Sequence, residues 1–131
     1  MRAHYFTALA AFLVAAPPLA IAAQTAQPTL ATQGATVDTV SVATDPYGVR
    51  FTLTNTGAET ATYYVTCAGL GAATCASAPA DPVRVAPGQQ VTLAADYRAT
   101  RAGRGLVVLR VRDPRTGARA SAALLITVTG S

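Results

Sequence analysis

Val49-Arg50-Phe51-Thr52-Leu53-Thr54 alternates apolar and polar residues without a break and runs into Asn55-Thr56-Gly57, a turn signal. Successive side chains on a β-strand point to opposite faces, so this stretch buries Val49, Phe51 and Leu53 and wets the residues between them. The same period of two returns at Val107, Leu109 and Val111, interleaved with Arg110 and Arg112. It returns again at Val91, Leu93, Ala95 and Tyr97, and at Leu124, Ile126 and Val128. Strands with one apolar face need a second layer to press against, and two packed antiparallel sheets supply it.

The rest of the chain is punctuated accordingly. A first strand is expected from about Thr36 to Val42, ended by Asp45-Pro46-Tyr47-Gly48, whose Pro and Gly suit a β-turn. Thr60 to Cys67 is rich in β-formers, and Val83 to Val85 leads into the Ala86-Pro87-Gly88 turn. Gly105 to Arg112 pairs through Asp113-Pro114-Arg115-Thr116-Gly117 with a last strand, Ala120 to Thr129. Ala118 to Ala123 has helical propensity but continues straight into Ile126-Thr127-Val128, and we read it as strand. Residues 68–82, rich in Gly, Ala and Pro, are expected to form the longest irregular connection. About seven short strands in a domain of roughly 100 residues predict an all-β, immunoglobulin-like antiparallel sandwich.

The N-terminus has a different character. Met1-Arg2 gives a positive start, Tyr5 to Ala16 is a nearly uncharged apolar run, and Ala20-Ile21-Ala22 is a small-residue cleavage pattern. This is the layout of a secretory signal peptide, assigned to residues 1–23. The apolar run falls short of the roughly 20 residues a membrane-spanning helix needs. An exported protein, periplasmic or extracellular and without a transmembrane anchor after cleavage, is therefore expected. Polar residues 24–35 read as a flexible tether, and residues 36–131 as the folded domain.

Two cysteines, Cys67 and Cys75, stand with seven residues between them. An even count in an oxidising compartment favours a disulfide, and two thiols with no histidine are too few ligands for a closed zinc site. Lysine is absent, so every basic side chain is arginine. Without Arg2 the ten arginines become nine against six acidic residues, a net charge of +3. So small an excess, with few aromatics to stack on bases, argues against nucleic acid as partner.

Around these residues the sequence resembles a family. Phe51-Thr52-Leu53-Thr54-Asn55-Thr56-Gly57, followed by Ala61-Thr62-Tyr63, is similar to the "F-x-V-x-N-T-G-x-x-x-x-x-Y" opening of bacterial immunoglobulin-like modules. These modules are found singly or in arrays on exported and surface proteins. The likeness continues through Cys67 and Cys75, Val85-Ala86-Pro87-Gly88-Gln89-Gln90-Val91, the stretch from Tyr97 through Gly103 to Leu109, and Ser121 to Val128. It implies a structural or recognition module in the envelope or outside it, with another envelope or extracellular protein as partner. No catalytic residue comes with it.

The side-chain inventory agrees. The single histidine, His4, belongs to the signal peptide, and acid–base catalysis near neutrality most often uses His or paired carboxylates. The carboxylates Asp38, Asp45, Glu59, Asp81, Asp96 and Asp113 are dispersed, and Asp45, Asp81 and Asp113 each precede Pro, a turn-forming pair. No run of carboxylates suits calcium, and no serine stands in a G-x-S-x-G elbow. Catalytic residues, cofactor and metal are all expected to be absent. Arg110 and Arg112 share a strand face, Arg119 should lie close to Arg112, and Arg115 sits at the hairpin tip. Arg98, Arg101 and Arg104 are expected to crowd the other end of that strand. Arg110, Arg112, Arg115 and Arg119 form the candidate anion or partner surface, against the plainer reading of a solvated outer face that discourages edge pairing. Tyr63 and Tyr64 face opposite sides, which leaves one of them outward.

Overall fold

In a computed structural model of the chain, residues 26–130 are described. The signal peptide assigned to residues 1–23 lies outside them. Each alternating stretch is a strand. In chain order the described residues form β1 (Thr29–Thr32), β2 (Val37–Ser41), β3 (Tyr47–Thr54), β4 (Ala61–Gly71), β5 (Ala73–Ser77), β6 (Val83–Val85), β7 (Gln90–Ala99), β8 (Gly103–Arg112) and β9 (Arg119–Thr129). They build a four-stranded sheet, β1-β3-β7-β5, and a five-stranded sheet, β2-β9-β8-β4-β6. Neighbours run antiparallel except β2, which adds to β9 in parallel.

The period of two becomes the core directly. Phe51 and Leu53 from one sheet meet Val107, Leu109 and Ile126 from the other, all fully excluded from solvent. Along β3 the residues between them, Arg50, Thr52 and Thr54, face outward with partial or full exposure. The Asn55-Thr56-Gly57 turn is more than punctuation. Asn55 is 2% exposed; its Nδ2 donates to the carbonyls of Glu59 (2.8 Å) and Val85 (2.9 Å), and its Oδ1 accepts from the Gly57 amide (2.9 Å). A buried amide with its bonding capacity met ties two loops to the end of β3.

Two strands lie where the sequence reading expects none. The tether assigned to residues 24–35 contains β1, which pairs with Phe51–Thr54 of β3. Its composition is polar, and a single side chain, Leu30, packs on the core. Gln33 then donates from Nε2 to the hydroxyls of Thr52 and Thr92, both at 3.0 Å. Backbone pairing to an otherwise open edge, rather than apolar patterning, makes this strand.

Residues 68–82 hold the second unexpected strand and are not one irregular connection. β4 does not stop at Cys67 but continues to Gly71, turns at Ala72 and crosses to the other sheet as β5, on the edge of β7. The glycines that suggest a loop here permit a close crossing. A Cβ on Gly69 would stand 2.5 Å from the Ala73 carbonyl oxygen and 2.6 Å from the Thr74 Cα. Gly71 adopts φ 65°, and a Cβ there would meet the Arg104 carbonyl oxygen. Cys67 and Cys75 form a disulfide, Cα atoms 6.1 Å apart, which bridges β4 and β5 and so joins the two sheets at this corner.

Candidate functional site

The hairpin of β8 and β9 places the predicted arginines. Arg110 and Arg112 alternate with buried Leu109 and Val111 and project from the outer face of the five-stranded sheet. The register sets Arg112 opposite Arg119 and Arg110 opposite Ser121, and on the other side Tyr64 and Thr66 of β4 lie next to Arg112 and Arg110. Arg84 of β6 joins the same face opposite Thr62. Arg115 stands apart at the hairpin tip, where it meets Glu59 at 3.6 Å, both side chains exposed; among the described residues this is the one ion pair. Asp113 builds the turn itself, since its carboxylate accepts from the Arg115 amide (2.9 Å) and the Thr116 hydroxyl (3.1 Å). Arg112 and Arg119, directly opposed, repel one another.

The other arginines divide. Arg104 lies at the far end of β8, also on this face, opposite Thr127. Arg98 belongs to β7 in the other sheet and donates from Nη1 to the Thr44 carbonyl, so the expected crowding of Arg98 with Arg104 does not occur.

Sequence reasoning missed what lies between the two basic ends. Leu70, Leu106, Leu125 and Val37 come from β4, β8, β9 and β2, and the registers align them in one row across four strands. Ala68, Val108 and Ala123 form the next row towards Arg110. The large hydrophobics exposed among the described residues are Val37 (55%), Leu70 (53%), Tyr64 (43%) and Leu125 (38%), and all four sit on this face. Leu70, Leu106 and Leu125 flank a shallow groove of about 210 Å³, closed at one end by Arg104. The outer face of the four-stranded sheet is unlike it. There Thr29, Thr54 and Gln90 form one row, and Ala31, Thr52 and Thr92 the next.

A second concavity, about 570 Å³, opens beside β3 where the chain leaves β1 for β2. Gln33, Asp38, Arg50 and Asp96 supply its polar lining, and Val49, Ala95 and Leu124 its floor. Asp96 already accepts from the Ser77 hydroxyl (3.0 Å) and Asp38 from the Thr39 amide (2.8 Å). No nucleophile with an adjacent base stands there, and no group of three metal-ligating side chains forms among the described residues. The perturbed groups are core tyrosines. Burial holds Tyr97 and Tyr63 above the ordinary tyrosine value, with the negative charges of Asp38 and Asp113 respectively adding to it. Neither tyrosine is poised for acid–base work at neutral pH.

No protein-family model matches the sequence, and no curated protein matches it significantly. Solved structures resemble it in fold. A fragment of Escherichia coli alpha-2-macroglobulin, from domain MG7 to the C-terminus, superposes with a TM-score of 0.65 at 19% identity over 80% of this chain and 17% of that one. A Salmonella alpha-2-macroglobulin gives 0.64 at 20% identity, over 79% of this chain and 7% of that one. The secreted serine protease VesC of Vibrio cholerae gives 0.52 at 18% identity, over 70% of this chain and 21% of that one. The chain thus spans a small part of each. At these identities the likeness establishes the fold: an all-β, immunoglobulin-like sandwich. Among the described residues no helix is long and apolar enough to cross a membrane.

Proposed function

We propose that this chain is an exported, non-enzymatic immunoglobulin-like module that works by protein–protein contact in the periplasm or outside the cell. The contact surface is the outer face of the five-stranded sheet. One observation carries this reading: every large hydrophobic exposed among the described residues lies on that face. Contiguous exposed apolar surface beside polar surroundings marks interaction sites on soluble proteins, whereas scattered single residues do not. The signal-peptide layout of residues 1–23 supports export. The dispersed carboxylates and the loss of His4 with that segment support a non-catalytic role.

Crosslinking in the envelope fraction of producing cells tests it. The wild-type protein is expected to yield a discrete crosslinked species that Leu70→Ser with Leu125→Ser removes while the melting curve stays unchanged. The same species at the same yield from the double variant would refute the assignment of this face.

A second reading, an anion- or glycan-binding module on the Arg hairpin, is favoured by the direct opposition of Arg112 and Arg119. Two guanidiniums held side by side suit a phosphate, sulfate or carboxylate. It requires retention on heparin resin that Arg110→Ala with Arg112→Ala abolishes.

A further inference from the structure

We infer that the partner received by the five-stranded face is a protein surface in which an apolar strip is bordered by carboxylates. This rests on the contact-face reading above and specifies the chemistry of what is bound. The outer positions of this sheet hold Arg84, Arg104, Arg110, Arg112 and Arg119, half of the ten arginines in the chain, and none of its six acidic residues. Asp38 is turned to the opposite side of β2 from Val37, Asp45 lies in the β2–β3 loop, Asp96 lies in the other sheet and Asp113 is buried in its turn. Two stand at the margin: Glu59 beside Arg115, and Asp81, exposed, whose carboxylate accepts from the Val65 amide at the edge of β4. The outward strand positions of this face therefore carry five arginines and no carboxylate, with Asp81 and Glu59 only at its margins.

The arrangement along the strands narrows the partner further. The row of Leu70, Leu106, Leu125 and Val37 spans three strand spacings, about 14 Å. Arg110 lies four residues along β8 from Leu106, about 13 Å away, and Arg112 lies about 20 Å away. A polyanion would engage the arginines and leave the leucine row in water. An anionic bilayer also pairs apolar with negative surface, and titration with vesicles distinguishes it from a protein. A second copy brings arginine against arginine, or arginine against leucine, because the strands of the face hold no carboxylate to offer. A protein surface that is apolar in one strip and acidic beside it satisfies both halves at once. Arginine is enriched at protein interfaces, and complementary charge sets register and association rate.

The full-length mature protein is titrated with two amphipathic helical peptides that share the same leucine face and carry either glutamate or lysine on the flanks. Sodium polyglutamate, heparin and phosphatidylglycerol vesicles serve as further probes. The glutamate peptide is expected to bind at least about tenfold tighter than the lysine peptide, with affinity falling as salt is raised. Charge reversal by Arg110→Glu, Arg112→Glu and Arg119→Glu together should weaken it about tenfold or more, and so should Leu125→Ser alone. Equal binding of the two peptides overturns the acidic complement while leaving the contact face standing. Heparin, polyglutamate or vesicles bound as tightly as the glutamate peptide, with no effect of Leu125→Ser, overturn it in favour of a polyanion or a lipid surface. A molar mass that doubles with concentration overturns it in favour of a second copy, and failure of the glutamate peptide to bind overturns it outright.

Discussion

Asn55 is the residue on which the turn motif depends. It exchanges water for three protein hydrogen bonds, to Glu59, Val85 and Gly57, in a site 2% exposed. Truncation strands two carbonyls and an amide, so Asn55→Ala is expected to cost about 2–3 kcal/mol. At roughly 4–8 °C per kcal/mol for a domain of this size, thermal melting reads it directly. The glycines separate by mechanism. Gly117 has φ 81°, and a Cβ placed there would find nothing within 4 Å, so Gly117→Ala bears the left-handed backbone strain alone, about 1–2 kcal/mol. Gly69 faces backbone atoms that cannot swing aside, and Gly69→Ala is expected to cost about 3 kcal/mol or more. Equal losses in urea denaturation would mean that the β4–β5 corner yields easily.

Among the elements, that corner also holds the disulfide. Closing so short a loop stabilises the fold by about 2–3 kcal/mol through the unfolded chain, so reduction should lower the urea midpoint without abolishing the transition. An unchanged midpoint would show that the bridge adds nothing beyond the crossing itself. The strands that bury a side chain at every second residue were legible: β3, β7, β8 and β9 carry the alternation in full, and three residues sufficed to mark β6 before its Pro-Gly turn. β1 was not, because one leucine in four residues is no period, and its strand form comes from an edge elsewhere in the chain. β5 was not, because glycine signals a turn and a close backbone crossing alike. The candidate face divided in the same way. Arg112 and Arg119 meet across a hairpin whose turn fixes the register, and their proximity follows from local sequence. The leucine row gathers β4, β8, β9 and β2, two of them joined through a parallel pairing, and no local pattern encodes that lateral alignment.

The whole molecule is a sandwich with unlike outsides, one threonine-rich with Arg50, Asp96 and Arg98 as its charges, the other apolar and basic, around a core with two titratable phenols. Tyr63 and Tyr97 are 2% and 1% exposed, and their rings fill the space between the sheets. Tyr97 packs at 5.6 Å on Tyr47, whose hydroxyl donates to the Ser41 carbonyl and so helps to hold β2 near β3. Burial raises both core phenols above their ordinary value of 10.0, since ionisation there loses hydration. The sign follows from proton counts. Below pH 10 both states keep these protons, and the stabilisation is fully present. As pH climbs past 10 the unfolded chain releases protons that the folded one still binds, and stability falls until the folded phenols ionise in turn. Urea midpoints should therefore hold level up to about pH 9 from this source and decline above about pH 10. Replacing both rings by Tyr63→Phe and Tyr97→Phe keeps the packing, removes the titration and should flatten that decline. An alkaline limb of the same slope in the double variant would place the pH sensitivity in other groups and deny these tyrosines a part in it.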